Sequence, residues 1–147
     1  MTESKTDLPL TGQCFCGAST IVATQRPETV VYCHCIDCRR ATGAPITAFA
    51  AFDAGAVTFT PNEGKSVSVV KGAARSFCEG CGSSLSGRYD YLPGQVYIPI
   101  GLFDQADTLA PQVHAHTSAA VPWLHVEDDL PRFDQSARTQ LNAQSTE

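Results

Sequence analysis

Seven cysteines fall into three tight groups, Cys14 with Cys16, Cys33 with Cys35 and Cys38, and Cys78 with Cys81, and this grouping constrains the chain more than any other feature. An odd number leaves one cysteine over in any disulfide framework within a single chain. Residues 1–7 are polar, and no apolar stretch long enough for a signal peptide or a membrane span follows them, so the expected compartment is the cytoplasm. Disulfides are rare there. Metal ligation therefore accounts for the cysteines better than pairing does.

The spacings suit that chemistry. Residues two apart in an extended strand face the same side with Cα atoms about 6.6 Å apart, so their sulfurs can converge on one ion at about 2.3 Å. Cys78-Glu79-Gly80-Cys81-Gly82 is a zinc half-site of the turn type, in which the glycines permit the tight backbone. The simplest partition assigns Cys14, Cys16, Cys78 and Cys81 to one closed zinc site. Cys33, Cys35 and Cys38 then supply three sulfurs to a second zinc, one short of a tetrahedral shell. Two zinc ions per chain follow. His34, His114, His116 or Asp37 could close the second site and make it purely structural, although His34 should point away from its neighbours in an extended segment. A redox dithiol at Cys35 to Cys38 or Cys78 to Cys81 is disfavoured because the βαβ pattern that usually carries one is absent.

The 147 residues have the length of one domain. A formal net charge of -5 argues against a nucleic-acid partner, which requires a clustered cationic surface. Short β-type runs at 19–24, 45–52, 56–60, 66–70 and 95–100 alternate with Gly, Pro, Asp and Asn, so they are expected as strands. The alternations Val57, Phe59 and Val67, Val69 suit strands with one buried face. A helix of one or two turns is expected over 37–41, ended by Gly43 and Pro45. The working domain is expected at 10–134, with flexible tails at 1–9 and 135–147.

Taken together, Cys14-Phe15-Cys16-Gly17, Cys33-His34-Cys35-Ile36-Asp37-Cys38-Arg39-Arg40 with Gly43, and Phe77-Cys78-Glu79-Gly80-Cys81-Gly82-Ser83 resemble the glutathione-dependent formaldehyde-activating enzyme and centromere protein V family. Gly101-Leu102-Phe103-Asp104, Pro111 with His114, Trp123, and Leu130-Pro131-Arg132-Phe133 continue the likeness in order. The resemblance implies a mainly β fold of the Mss-four-like type, with twisted antiparallel sheets, zinc-binding turns and little helix. It implies a structural zinc on Cys14, Cys16, Cys78 and Cys81 and a catalytic zinc on Cys33, Cys35 and Cys38. The activity it implies is that of a carbon–sulfur lyase, such as condensation of glutathione with formaldehyde to S-(hydroxymethyl)glutathione. Arg39 and Arg40 directly follow the second group and are candidates to hold a glutathione carboxylate, since guanidinium forks match carboxylates. The rival expectation is a non-catalytic, zinc-stabilised protein-binding module.

Overall fold

The structure, a computed structural model, describes residues 8–136. Most of both expected tails, 1–7 and 137–147, lies outside the described residues. The described chain is mostly β: β1 (Leu10–Gln13), β2 (Thr20–Ala23), β3 (Thr29–Cys33), α1 (Ile36–Thr42), β4 (Thr47–Asp53), β5 (Val57–Thr60), β6 (Lys65–Val67), β7 (Ala73–Phe77), β8 (Ser84–Tyr89), β9 (Gln95–Pro99) and β10 (Val113–Ala115). The strands form two sheets. No helix among the described residues is long and apolar enough to cross a membrane.

The chain divides into two compact units, the first taking the residues up to Thr29 and Ala50–Ala110, the second Val30–Phe49 and the described residues from Pro111 onward. In the first unit β1, β2 and β5 make a three-stranded antiparallel sheet, with Leu10 opposite Ala23 and Ile21 opposite Phe59. Leu10, Gly12, Ile21 and Ala23 are buried while Thr20 and Val22 face water, which is the period-two alternation of a half-covered sheet. Strands β6 to β9 pair in sequence order, each antiparallel to the next. Phe52, Leu85, Val96, Ile98 and Leu109 fill the interior, and Phe52 meets Phe103 with ring centroids 5.4 Å apart. Each such side chain contributes about 1.5–3 kcal/mol on burial.

Four of the expected strands appear within a few residues of their bounds, and the helix extends one residue beyond each expected end. Gly43 stops it in the left-handed conformation, φ 77°, with its amide donating to the Arg39 carbonyl. The run at 66–70 differs. Its strand ends at Val67, and Val67 and Val69 are 41% and 89% exposed, so the expected buried face does not form. The reason is position: β6 is the outermost strand of its sheet and pairs with β7 alone.

In the second unit β3 pairs with β10 in parallel, Val31 opposite Val113 and Cys33 opposite Ala115. This parallel pair departs from the antiparallel pattern of the other unit. The segment after residue 129 runs alongside β10: the His114 amide donates to the Pro131 carbonyl and the Phe133 amide to the His114 carbonyl. The His116 amide donates to the Gln135 carbonyl, which ties down the inner end of the expected C-terminal tail.

Candidate metal centres

Two turns of the same design carry the four sulfurs of the first unit. After β1, the Cys14 amide donates to the Ser19 carbonyl at 3.0 Å and the Gly17 amide to the Cys14 carbonyl at 3.1 Å. Before β8, the Cys78 amide donates to the Ser83 carbonyl at 2.9 Å and the Gly82 amide to the Cys78 carbonyl at 2.8 Å. Gly17 and Gly82 have φ of 82° and 79°, a region open to glycine at no steric cost, and this allows each turn to fold back on its cysteine.

Cys14 Sγ lies 3.6 Å from Cys16 Sγ, Cys16 Sγ lies 3.8 Å from Cys78 Sγ, and all four sulfurs including Cys81 are within 4.8 Å of one another. A tetrahedron with bonds of about 2.3 Å needs sulfur–sulfur separations of about 3.8 Å. The donor set therefore fits one zinc-sized ion. A Cβ on Gly80 would stand 3.6 Å from Cys16 Sγ and 3.7 Å from Cys78 Sγ, so the glycine keeps the space beside the sulfurs clear.

The thiols of this group are poised unequally. The Ser19 amide, 3.3 Å from Cys14 Sγ, pulls that thiol down. The Ser83 hydroxyl, 3.2 Å from Cys81 Sγ, is the main cause holding Cys81 at about 6. An amide hydrogen bond from Ala18 lowers Cys16, but the thiols of Cys14 and Cys81 push it up to about 11. Crowded thiols that obstruct one another's ionisation are a set that a bound cation ionises together. Cys14 and Cys78 also pack with Leu85, Phe59 and Leu102, so these two cysteines belong to the core of their unit, while Cys16 is exposed.

The second group is local. Cys33 ends β3, Cys35 is the cap residue of α1, and Cys38 lies in the helix's first turn and is buried. Cys33 Sγ is 3.4 Å from Cys38 Sγ, and the three sulfurs lie within 4.8 Å of one another. Cys35 is held low, at about 5, first by the Cys33 thiol and then by the Cys38 and Asp37 amides at the start of the helix. Cys33 is pushed up by Cys35 and Cys38. These three sulfurs too fit one metal ion. Among the described residues no histidine, carboxylate or further cysteine joins them within that distance.

His34 and His114, both weighed as closing ligands, pair with each other instead. His34 Nε2 lies 2.9 Å from His114 Nδ1, with the rings stacked at 5.1 Å between centroids. His114 Nε2 in turn lies 3.0 Å from Asp128 Oδ2, and Arg132 donates to Asp128 Oδ1 at 2.9 Å. Asp128 is held down at about 2, chiefly by His114. Burial lowers His34. Sequence reasoning missed Asp128, since nothing in the motif spacing links it to a histidine fourteen positions earlier. Arg39 and Arg40 both stand in the last turn of α1; Arg40 is exposed, and Arg39 is half-buried with its Nε enclosed and without a hydrogen-bond partner.

Among solved structures the chain is similar to a protein of Rhodobacter sphaeroides at 17% identity and a TM-score of 0.51, covering 83% of this chain and 98% of that one. That likeness concerns the fold alone. No curated protein matches the chain in sequence. Residues 9–119 match the family described as glutathione-dependent formaldehyde-activating enzyme, a span that takes in all seven cysteines, and the chain belongs to that family.

Proposed function

We propose that the protein is a cytoplasmic, zinc-dependent carbon–sulfur lyase-type enzyme that joins a small thiol such as glutathione to formaldehyde, or acts on a related thiol adduct. The observation that carries this reading is the contrast between the two sulfur groups: four donors in the first unit, and three in the second with no fourth among the described residues. A four-thiolate shell is closed and structural, whereas a three-donor shell leaves a position for a ligand. When bound at Cys33, Cys35 and Cys38, zinc would supply a mild Lewis acid that favours the thiolate form of an incoming thiol at neutral pH.

The chemistry forms one bond between the thiol sulfur and the aldehyde carbon. The thiol gives up its proton, the carbonyl π pair moves to oxygen, and that oxygen gains a proton, leaving a hydroxymethyl thioether. The chain's own groups bind and orient the reactants. Cys35, held low first by the Cys33 thiol and then by two helix amides, and Cys33 with Cys38 fix the metal position against the start of α1. Arg39, with an unpartnered Nε, is the group to take a glutathione carboxylate, and exposed Arg40 can add to it.

Thiols add to formaldehyde unaided, so the test is exchange kinetics of glutathione with formaldehyde against the uncatalysed rate at matched pH. An acceleration that is lost in Cys35→Ser supports the reading. A rate equal to background in the zinc-loaded protein contradicts it and favours the zinc-stabilised binding module.

A further inference from the structure

The two sulfur-bearing turns of the first unit are joined by a side chain as well as by the ion their sulfurs fit. Ser83 Oγ accepts from the Phe15 amide at 2.9 Å and lies 3.2 Å from Cys81 Sγ. Phe15 stands between Cys14 and Cys16 in the first turn, and Ser83 follows Cys81 in the second, sixty-eight positions later. A backbone amide only donates, so it occupies a lone pair of the hydroxyl and leaves the one hydroxyl hydrogen for another acceptor. A sulfur bound to a metal ion as thiolate carries no hydrogen and only accepts. The Ser83 hydrogen is therefore directed at Cys81 Sγ. Side-chain packing does little to hold the tip of the first turn, since Phe15 is 91% exposed. Ser19 has the matching place in the first turn, where its amide reaches Cys14 Sγ at 3.3 Å. That contact stays within one turn, whereas Ser83 spans both.

We propose that Ser83 is a positioning residue for the four-cysteine metal centre: its hydroxyl clasps the first turn through the Phe15 amide and donates to the metal-bound sulfur of Cys81, and so sets how tightly the ion is held. This rests on the assignment of Cys14, Cys16, Cys78 and Cys81 to one ion. A hydrogen bond to a ligand atom orients that atom and adjusts the charge it offers the metal, and loss of such a partner costs about 10–100-fold in metal affinity. Because one hydroxyl serves both turns, its removal should free the Phe15 amide and weaken the metal site together.

The test uses the full chain with Ser83→Ala and Ser83→Thr, the second of which keeps the hydroxyl. Cadmium-113 NMR of the cadmium-loaded protein reads the centres separately, because the number of bound sulfurs sets each resonance. In Ser83→Ala the four-sulfur resonance should move while the three-sulfur resonance stays, and zinc affinity at that centre, read by chelator competition, should fall about 10–100-fold. Hydrogen exchange at the Phe15 amide should be slow in the parent and fast in this variant. Ser83→Thr should restore all three. An unmoved four-sulfur resonance with parent affinity in Ser83→Ala overturns the proposal, even where Phe15 loses protection, for Ser83 then only fastens the turn. So does a Ser83→Thr that behaves as Ser83→Ala does. Free exchange of the Phe15 amide in the metal-loaded parent overturns it without recourse to a variant, should Ser83→Ala fail to fold. A parent with no four-sulfur resonance sinks the ligand assignment and the role of Ser83 with it.

Discussion

Cys16 and Cys78 are sixty-two positions apart in sequence, yet their sulfurs lie 3.8 Å apart. A metal ion at this point joins the turn after β1 to the turn before β8, and so closes the long loop of chain between them. Binding energy at such a site is also folding energy, because the unfolded chain has no preformed site.

Cys81→Ser should therefore unfold much of the first unit. Structural zinc sites supply apparent free energies of about 10–16 kcal/mol, comparable with or above the roughly 5–15 kcal/mol by which domains are stable. Circular dichroism and thermal melts read the outcome. A variant with native melting and undiminished zinc would show that Cys81 is not a ligand.

Cys35→Ser should be much milder. Cys33 and Cys38 are five positions apart, so loss of their ion releases only a short loop, and the entropy of loop closure grows with loop length. Metal content should fall from two to one per chain while the far-ultraviolet spectrum stays native. Collapse of the fold to the same extent as in Cys81→Ser would contradict the division into a closed and an open centre.

Two glycines in the left-handed region separate conformational strain from steric clash. Gly43, φ 77°, has open space where a Cβ would stand, so Gly43→Ala should cost about 1–2 kcal/mol for the backbone conformation alone. At Gly64, φ 86°, a Cβ would stand 2.3 Å from the Phe77 carbonyl oxygen and 2.9 Å from Leu85. Gly64→Ala must also move the backbone of β7, so its cost should exceed that of Gly43→Ala by at least about 1–3 kcal/mol. Urea unfolding of both variants checks the order, and equal midpoints would contradict it.

Much of this was legible because metal ligation leaves local marks in a sequence. The spacers among the cysteines mark metal half-sites, and the short helix shows its end in Gly43. Cys14 and Cys16 nevertheless sit in the turn after β1, and Cys35 caps α1 beyond the end of β3, so neither one-residue pair lies in the extended strand expected for it. Strands β1, β3, β7, β8 and β10 were not foreseen. In β8, Ser84–Tyr89, the run Ser-Leu-Ser-Gly-Arg-Tyr has little β-branched character, and its strand state comes from pairing with β7 and β9. Val67 and Val69 misled because alternation shows which side chains share a face, not whether anything covers it. The His34, His114 and Asp128 chain depends on the parallel pairing of β3 with β10 and on the following segment, contacts between residues eighty and fourteen positions apart that no local pattern records.

Cobalt substitution tests the central claim most directly, since thiolate-bound cobalt reports donor number and ligand exchange in its visible spectrum. Two cobalt ions per chain are predicted, one spectrally inert to millimolar glutathione and one whose bands shift on its addition, with the responsive set missing in Cys35→Ser. A single cobalt per chain, or two that both ignore the thiol, would contradict the account of one closed and one open centre.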